Sequence, residues 1–166
     1  MGRGSVEHVD EVGEHVLERA DVPDGVVVGV DGSASSLRAL RAAAEEARLR
    51  GCVLHVVRAW TLRTAPRPPD CPPGAVPSLR EYSDYVGQQT EELVTEHLGP
   101  APGVAVRVHA IHSPSPQGLI AASTHAALLV VGHRGRGGFA GLVLGSVADQ
   151  CVRHARCPVL VVRPNI

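Results

Sequence analysis

Lysine is absent from this chain. All 16 basic side chains among its 166 residues are arginine, set against 17 acids for a formal net charge of -1. Without an ammonium or amine there is no P-loop lysine for a phosphate, no Schiff base, no pyridoxal phosphate attachment and no Ser-x-x-Lys acylation. Aromatic residues are almost as scarce. Trp60, Tyr82, Tyr85 and Phe139 are too few and too scattered to stack single-stranded nucleic acid or sugars. The near-balanced charge also argues against a general attraction to polyanions. The four cysteines, Cys52, Cys71, Cys151 and Cys157, form no C-x-x-C pair, and a chain this apolar needs no disulfide staples, which suits a reducing compartment. The longest apolar runs, such as residues 126–131, are strand-sized, and the chain does not open on the basic, apolar, small-residue pattern of a signal peptide. The expectation is a cytoplasmic protein with no membrane and no nucleic-acid role.

With 44% hydrophobic residues, the length suits one domain with its own core. Residues 1–24 form an acidic extension (Glu7, Asp10, Glu11, Glu14, Glu18, Asp21, Asp24) with a weak helical spacing at Val9, Val12 and Val16. The domain proper is expected over 25–166. Its first strand is VVVGV (26–30), followed by the turn-like DGSASS and a helical repeat that ends at Gly51. CVLHVVRAW (52–60) reads as a second buried strand, 61–78 as a proline-rich surface loop and 79–98 as a helix. VAVRVHAI (104–111) supplies a third strand, 113–126 a helix opened by prolines, ALLVVG (127–132) a fourth strand, about 146–155 a helix and PVLVVR (158–163) a fifth strand. Strands that alternate with helices in this way specify an α/β fold. We expect a single doubly wound domain, a five-stranded parallel sheet in the order 3-2-1-4-5 with helices on both faces. In such a sheet ligands bind beyond the carboxyl ends of the strands, where the winding reverses.

The most informative stretch is VVGHRGRGGFAGLVLGSVADQ (130–150), which leaves the fourth strand through Gly132, Gly135, Gly137, Gly138 and Gly141 and enters a helix at Gly145-Ser146. Its pattern is G-x2-G-x9-G-S. Glycines let the main chain approach an anion closely, and a helix start offers N–H groups with partial positive charge. Ser146 adds a hydroxyl, while Arg134 and Arg136 supply the charge that a P-loop takes from lysine. Ser146 followed by Asp149 also reads as a helix cap. Asp31, at the end of the first strand, faces the same crevice in the 3-2-1-4-5 order. An acid beside a phosphate site points to a nucleotide, whose ribose hydroxyls or Mg2+ it would hold; alone it reads equally as a turn or cap in DGSASS.

The combination of VVVGVDGS, LHVV, LLVVGHRGRGG, the full G-x2-G-x9-G-S and CPVLVVRP resembles the ATP-binding branch of the universal stress protein family over about residues 25–164. The resemblance implies an adenine nucleotide (ATP, or AMP or ADP) as cofactor, with Mg2+ held by Asp31. By resemblance Asp31 contacts the nucleotide, the main chain near Gly29 lines the pocket and that around Val56 meets the adenine. Gly132 and Gly135 wrap ribose and phosphates, Arg136 and Gly138 fall in the same loop, and Gly145 and Ser146 hold phosphates. It further implies a homodimer formed through the last strand and a nucleotide-dependent stress sensor or regulator that acts through a protein partner.

Two other functions use the same residues: a slow ATPase or phosphoryl-transfer enzyme, and an ATP-independent dimeric interaction protein in which the glycine loop is structural. The pocket offers no nucleophile with a paired base, so catalysis is the weaker reading. Of the nine histidines, His109 and His112 point to opposite faces of their strand and form no ligand cluster, while His133 sits in the phosphate loop as a donor or as a solvated loop residue. Cys151 and Cys157 read as small buried hydrophobes.

Overall fold

The structure, a computed structural model, describes the main chain of residues 6–8 and residues 16–136 and 143–164. In chain order the elements are β1 (Val6–His8), β2 (Val26–Gly29), α1 (Ala34–Arg50), β3 (Leu54–Trp60), α2 (Leu79–Leu98), β4 (Val106–His112), α3 (Ser115–Ala122), β5 (Leu128–Gly132), α4 (Ser146–His154) and β6 (Val159–Val162). Every strand pair is parallel, and the sheet runs β1-β4-β3-β2-β5-β6. Its five main strands therefore keep the expected 3-2-1-4-5 order. The sixth was not expected. Val6–His8, inside the acidic extension, pair with Val106, Arg107 and Val108 at the β4 edge. Val16 is not helical, and Val9 and Val12 lie outside the described residues.

Local chemistry sets the element ends. The Ser33 hydroxyl accepts the Ser36 N–H at 3.2 Å to start α1, and Gly51 ends it with φ 63, a left-handed conformation that costs glycine nothing. Helix α2 opens with a reciprocal cap in which Ser78 and Glu81 bond each other's main-chain N–H. Pro114 precedes α3, which is shorter than the 113–126 segment expected of it.

Alternation along the buried strands divides the core into two layers. Val26, Val28, Leu54, Val56, Val106, Val108 and Val130 pack against one layer, with Leu40 and the alanines of α1. Fully buried Ala39, Ala43, Ala44 and Ala47 let that helix lie close to the sheet. Val27, Val57, Ile111, Leu129 and Val131 face the other way, against Leu119 of α3 and Ala148 and Cys151 of α4. Ala20 and Val22 complete this second layer, and the Leu17 carbonyl accepts the His112 N–H at 2.8 Å, so residues 16–24 lie down on the sheet.

His55 and His109 are both buried, and their rings stack with centroids 5.2 Å apart, joined by a 2.9 Å hydrogen bond from Nδ1 to Nε2. The bond joins one nitrogen of each ring, one donating and the other accepting, so two polar atoms deep in the sheet are paired. The expected opposition of His109 and His112 holds, since His112 stacks on Trp60 with centroids 4.7 Å apart. The cross-strand partner of His109 depends on sheet register and was not foreseen.

Candidate functional site

Strands β2 and β5 are neighbours whose connections leave in opposite directions, so their carboxyl ends open a crevice at the winding reversal. Asp31 stands just beyond β2. One carboxylate oxygen accepts the Ser33 N–H at 2.9 Å, and the other accepts the Arg136 N–H at 3.2 Å, across the crevice. The Asp31 N–H in turn lies 3.3 Å from the Ser36 hydroxyl. Burial raises the carboxyl pKa, but the bonds from Ser33, Ser36 and Arg136 together outweigh it and hold Asp31 below the ordinary carboxylate range. Asp31 thus fixes its own turn and tethers the first part of the glycine loop.

Two adjoining cavities occupy the crevice. The smaller is lined by Gly29, Val57, Ala59, Leu119, Val131, Gly132 and Gly135 among others, with Asp31 at its polar edge. The wider adds Arg58, Trp60, Thr64, Arg136, Gly145 and Ser146. An apolar floor with polar groups gathered at one rim is the usual form of a small-molecule site.

The glycines of the motif do different things. A side chain at Gly132 would run into the main-chain carbonyl of Ser35 at 2.8 Å, so this glycine lets the end of β5 touch the start of α1. Gly29 is likewise pressed by Leu119, at 2.6 Å from where a Cβ would be. At Gly135 the one close neighbour would be the Asp31 carboxylate at 2.9 Å. There the missing side chain keeps the crevice itself open. Gly145 donates its N–H to the His133 carbonyl at 2.7 Å, which folds the far end of the loop back onto the near end. Gly138 lies outside the described residues.

Gly145, not Ser146, is the residue that precedes α4, and no side chain caps this helix. The cap reading of Ser146 and Asp149 therefore fails in detail: Ser146 is exposed at the first helical position, and both Asp149 oxygens are bonded by Arg153 Nε at 2.9 and 3.0 Å. The α4 start and the Ser146 hydroxyl open into the wider cavity.

Val56 does not line either cavity. It is fully buried in the layer beneath α1, and Val57 and Ala59 form the floor instead. His133 is tied to α1 through a 3.0 Å bond between its Nδ1 and the Ser35 hydroxyl. Burial, then the positive charges of Arg134, Arg38 and Arg163, lower its pKa against an opposing bond to the Val162 main chain, which favours its neutral form. Arg58 was not singled out from the sequence. Its only signal there is a charge in the middle of a run that otherwise reads as buried strand.

A parallel sheet in this order, with helices on both faces and a crevice at the winding reversal, belongs to the class of Rossmann-like α/β domains. Within that class the chain belongs to the universal stress protein family, whose pattern matches residues 24–163. Universal stress protein Rv2623 of Mycobacterium tuberculosis is 34% identical over 147 residues, which cover 85% of this chain and 46% of that protein. The chain spans less than half the length of the curated relatives it matches. Among solved structures, a universal stress protein in complex with cAMP superposes with a TM-score of 0.59 at 25% identity, covering 86% of this chain and 98% of that one. The universal stress protein from Archaeoglobus fulgidus superposes with a TM-score of 0.58 at 26% identity, covering 84% and 98%.

Proposed function

We propose that this chain binds an adenine nucleotide in the crevice and works as a nucleotide-dependent regulator in the cytoplasm, read by a protein partner. The observation that carries the proposal is the pairing of a carboxylate and a main-chain cradle: Asp31 bonded to the Arg136 N–H, beside Gly135 and the α4 start. Val57, Ala59 and Leu119 offer an apolar floor for a base. The Asp31 carboxylate suits ribose hydroxyls, and the Gly145-Ser146 helix start suits a phosphate. The solved relative in complex with cAMP supports an adenine nucleotide as the ligand class.

Asp31 is one carboxylate, and a hard divalent cation takes about six oxygen ligands. Mg2+ fits here only where nucleotide phosphates supply most of its oxygens, with Asp31 as a protein ligand. Its contribution would be to neutralise phosphate charge beside the arginines.

The β6 strand has no outer neighbour in the described sheet, and Val159–Val162 are only partly covered. An apolar edge of this kind suits pairing with a second copy, and we assign the homodimer to it.

Mass spectrometry of small molecules released by heat from the purified protein tests the ligand. ATP, ADP or AMP is expected, together with a nucleotide-dependent rise in melting temperature. At about 100 times Kd a ligand adds about 2.7 kcal/mol. Protein recovered empty, with a melting temperature indifferent to adenine nucleotides, overturns the reading and leaves an interaction protein.

A further inference from the structure

Arg58 follows Leu54 and Val56 on the face of β3 that packs under the helices, a direction in which side chains are otherwise apolar. It is half-buried, and among the described residues no carboxylate lies within ion-pair distance of it. A guanidinium held half out of water without a paired acid loses solvation that nothing in the fold repays. Its surroundings sharpen the point. Burial and the charge of Arg136 both favour its neutral form, while Asp31 and Tyr85 favour the charged one. Arg58 and Arg136 line one cavity with the Ser146 hydroxyl and the α4 start, and both Asp31 oxygens already take main-chain N–H groups there. Two like charges share a cleft whose one acid is engaged. An anion between them would satisfy both.

Resting on the nucleotide reading of the crevice, we propose that Arg58 sets the class of nucleotide: with Arg136 it selects a nucleoside polyphosphate over a nucleoside monophosphate or a cyclic nucleotide. A base on the Val57-Ala59 floor and a first phosphate at the glycine cradle use contacts common to all three ligands. Only a chain of further phosphates carries enough negative charge to occupy both guanidiniums along with the helix start. Arg58 is therefore a specificity residue, and its effect depends on the phosphate count.

Calorimetric titration of the full chain with ATP, AMP and cAMP, in wild type, Arg58→Met and Arg58→Lys, tests this. Wild type is expected to bind ATP at least about tenfold more tightly than AMP or cAMP, a preference that weakens with added salt. Arg58→Met should cost ATP about tenfold and change AMP by less than about twofold, and Arg58→Lys should recover part of the ATP loss. The melting temperature of ligand-free Arg58→Met should match or exceed that of wild type, since the change removes a half-buried charge with no ion-pair partner among the described residues, which separates lost recognition from lost folding. Equal wild-type affinities for the three ligands, or an Arg58→Met protein that keeps the wild-type ATP-to-AMP ratio, overturns the role of Arg58 while nucleotide binding stands. Failure of all three to bind overturns the nucleotide reading itself, and this inference with it.

Discussion

The carboxylate of Asp31 and the main-chain N–H of Arg136 meet at 3.2 Å across the crevice between β2 and β5. This bond closes one side of the cradle and is made by residues far apart in sequence. A hydrogen bond to a charged group contributes about 1.5–3 kcal/mol. Asp31→Ala should therefore loosen residues 133–136, seen as faster amide exchange there, and lower nucleotide affinity about tenfold or more. Unchanged exchange in that segment would show that the loop is held by other contacts.

Gly132 and Gly135 belong to one motif but should fail differently. In Gly132→Ala the new methyl meets Ser35 main chain, which cannot swing aside, and a loss of about 1–3 kcal/mol is expected in denaturant unfolding. In Gly135→Ala the methyl meets the Asp31 carboxylate, so stability should change by less than about 1 kcal/mol. Nucleotide affinity should nonetheless collapse. Equal destabilisation by both substitutions would contradict this division of roles.

The buried histidine pair makes stability depend on pH. Burial first, then repulsion from Arg107, with Asp24 opposing, lowers the His55 pKa to about 4. Since the unfolded value is about 6.5, the unfolded chain takes up a proton below that pH that the folded chain refuses. The stabilisation is complete above about pH 6.5 and is lost as pH falls toward about 4, by an amount on the order of 3 kcal/mol. Replacing the pair, as in His55→Phe with His109→Leu, should flatten unfolding midpoints measured across that window. A double variant with the wild-type slope would clear His55 of responsibility.

Cys151 is fully buried in the second core layer. Burial, and to a lesser degree Cys157, raises its thiol pKa to about 11. The thiolate is the reactive form, so iodoacetamide at mildly alkaline pH should leave Cys151 unmodified in the native protein and label it after unfolding. Prompt labelling of Cys151 in folded protein would mean that α4 opens readily.

The dimer assigned to β6 can be broken from its surface. Leu160 is 36% exposed in the middle of that strand. Leu160→Arg places a charge on the apolar edge and should convert the dimer to monomer in light scattering, with little loss of monomer stability. A wild-type chain that is monomeric at micromolar concentration would refute the assignment directly.

Much of this architecture is local in origin. Runs such as VVVGV, LHVV and LLVVG read as buried strands because they are short, rich in β-branched residues and separated by segments of helical period. The spacing of Gly132, Gly135, Gly145 and Ser146 located the crevice for the same reason: unusual main-chain freedom leaves a mark on a sequence. What these residues do was less legible. Gly132 proved to be a packing position against Ser35, and Ser146 proved not to be the cap. The acidic extension concealed β1, since three residues that borrow an existing sheet edge need no periodicity of their own.

The order of the strands and the meeting of Asp31 with the glycine loop were determined by the sequence, through hydrophobic pattern and the handedness of parallel crossovers. Tertiary structure alone decided that Val57 rather than Val56 floors the crevice, that His55 finds His109, and that Arg58 comes to share a cavity with Arg136. Each of these follows from sheet register and the direction of single side chains. A one-residue shift sends a side chain to the opposite face, and no local preference records that choice.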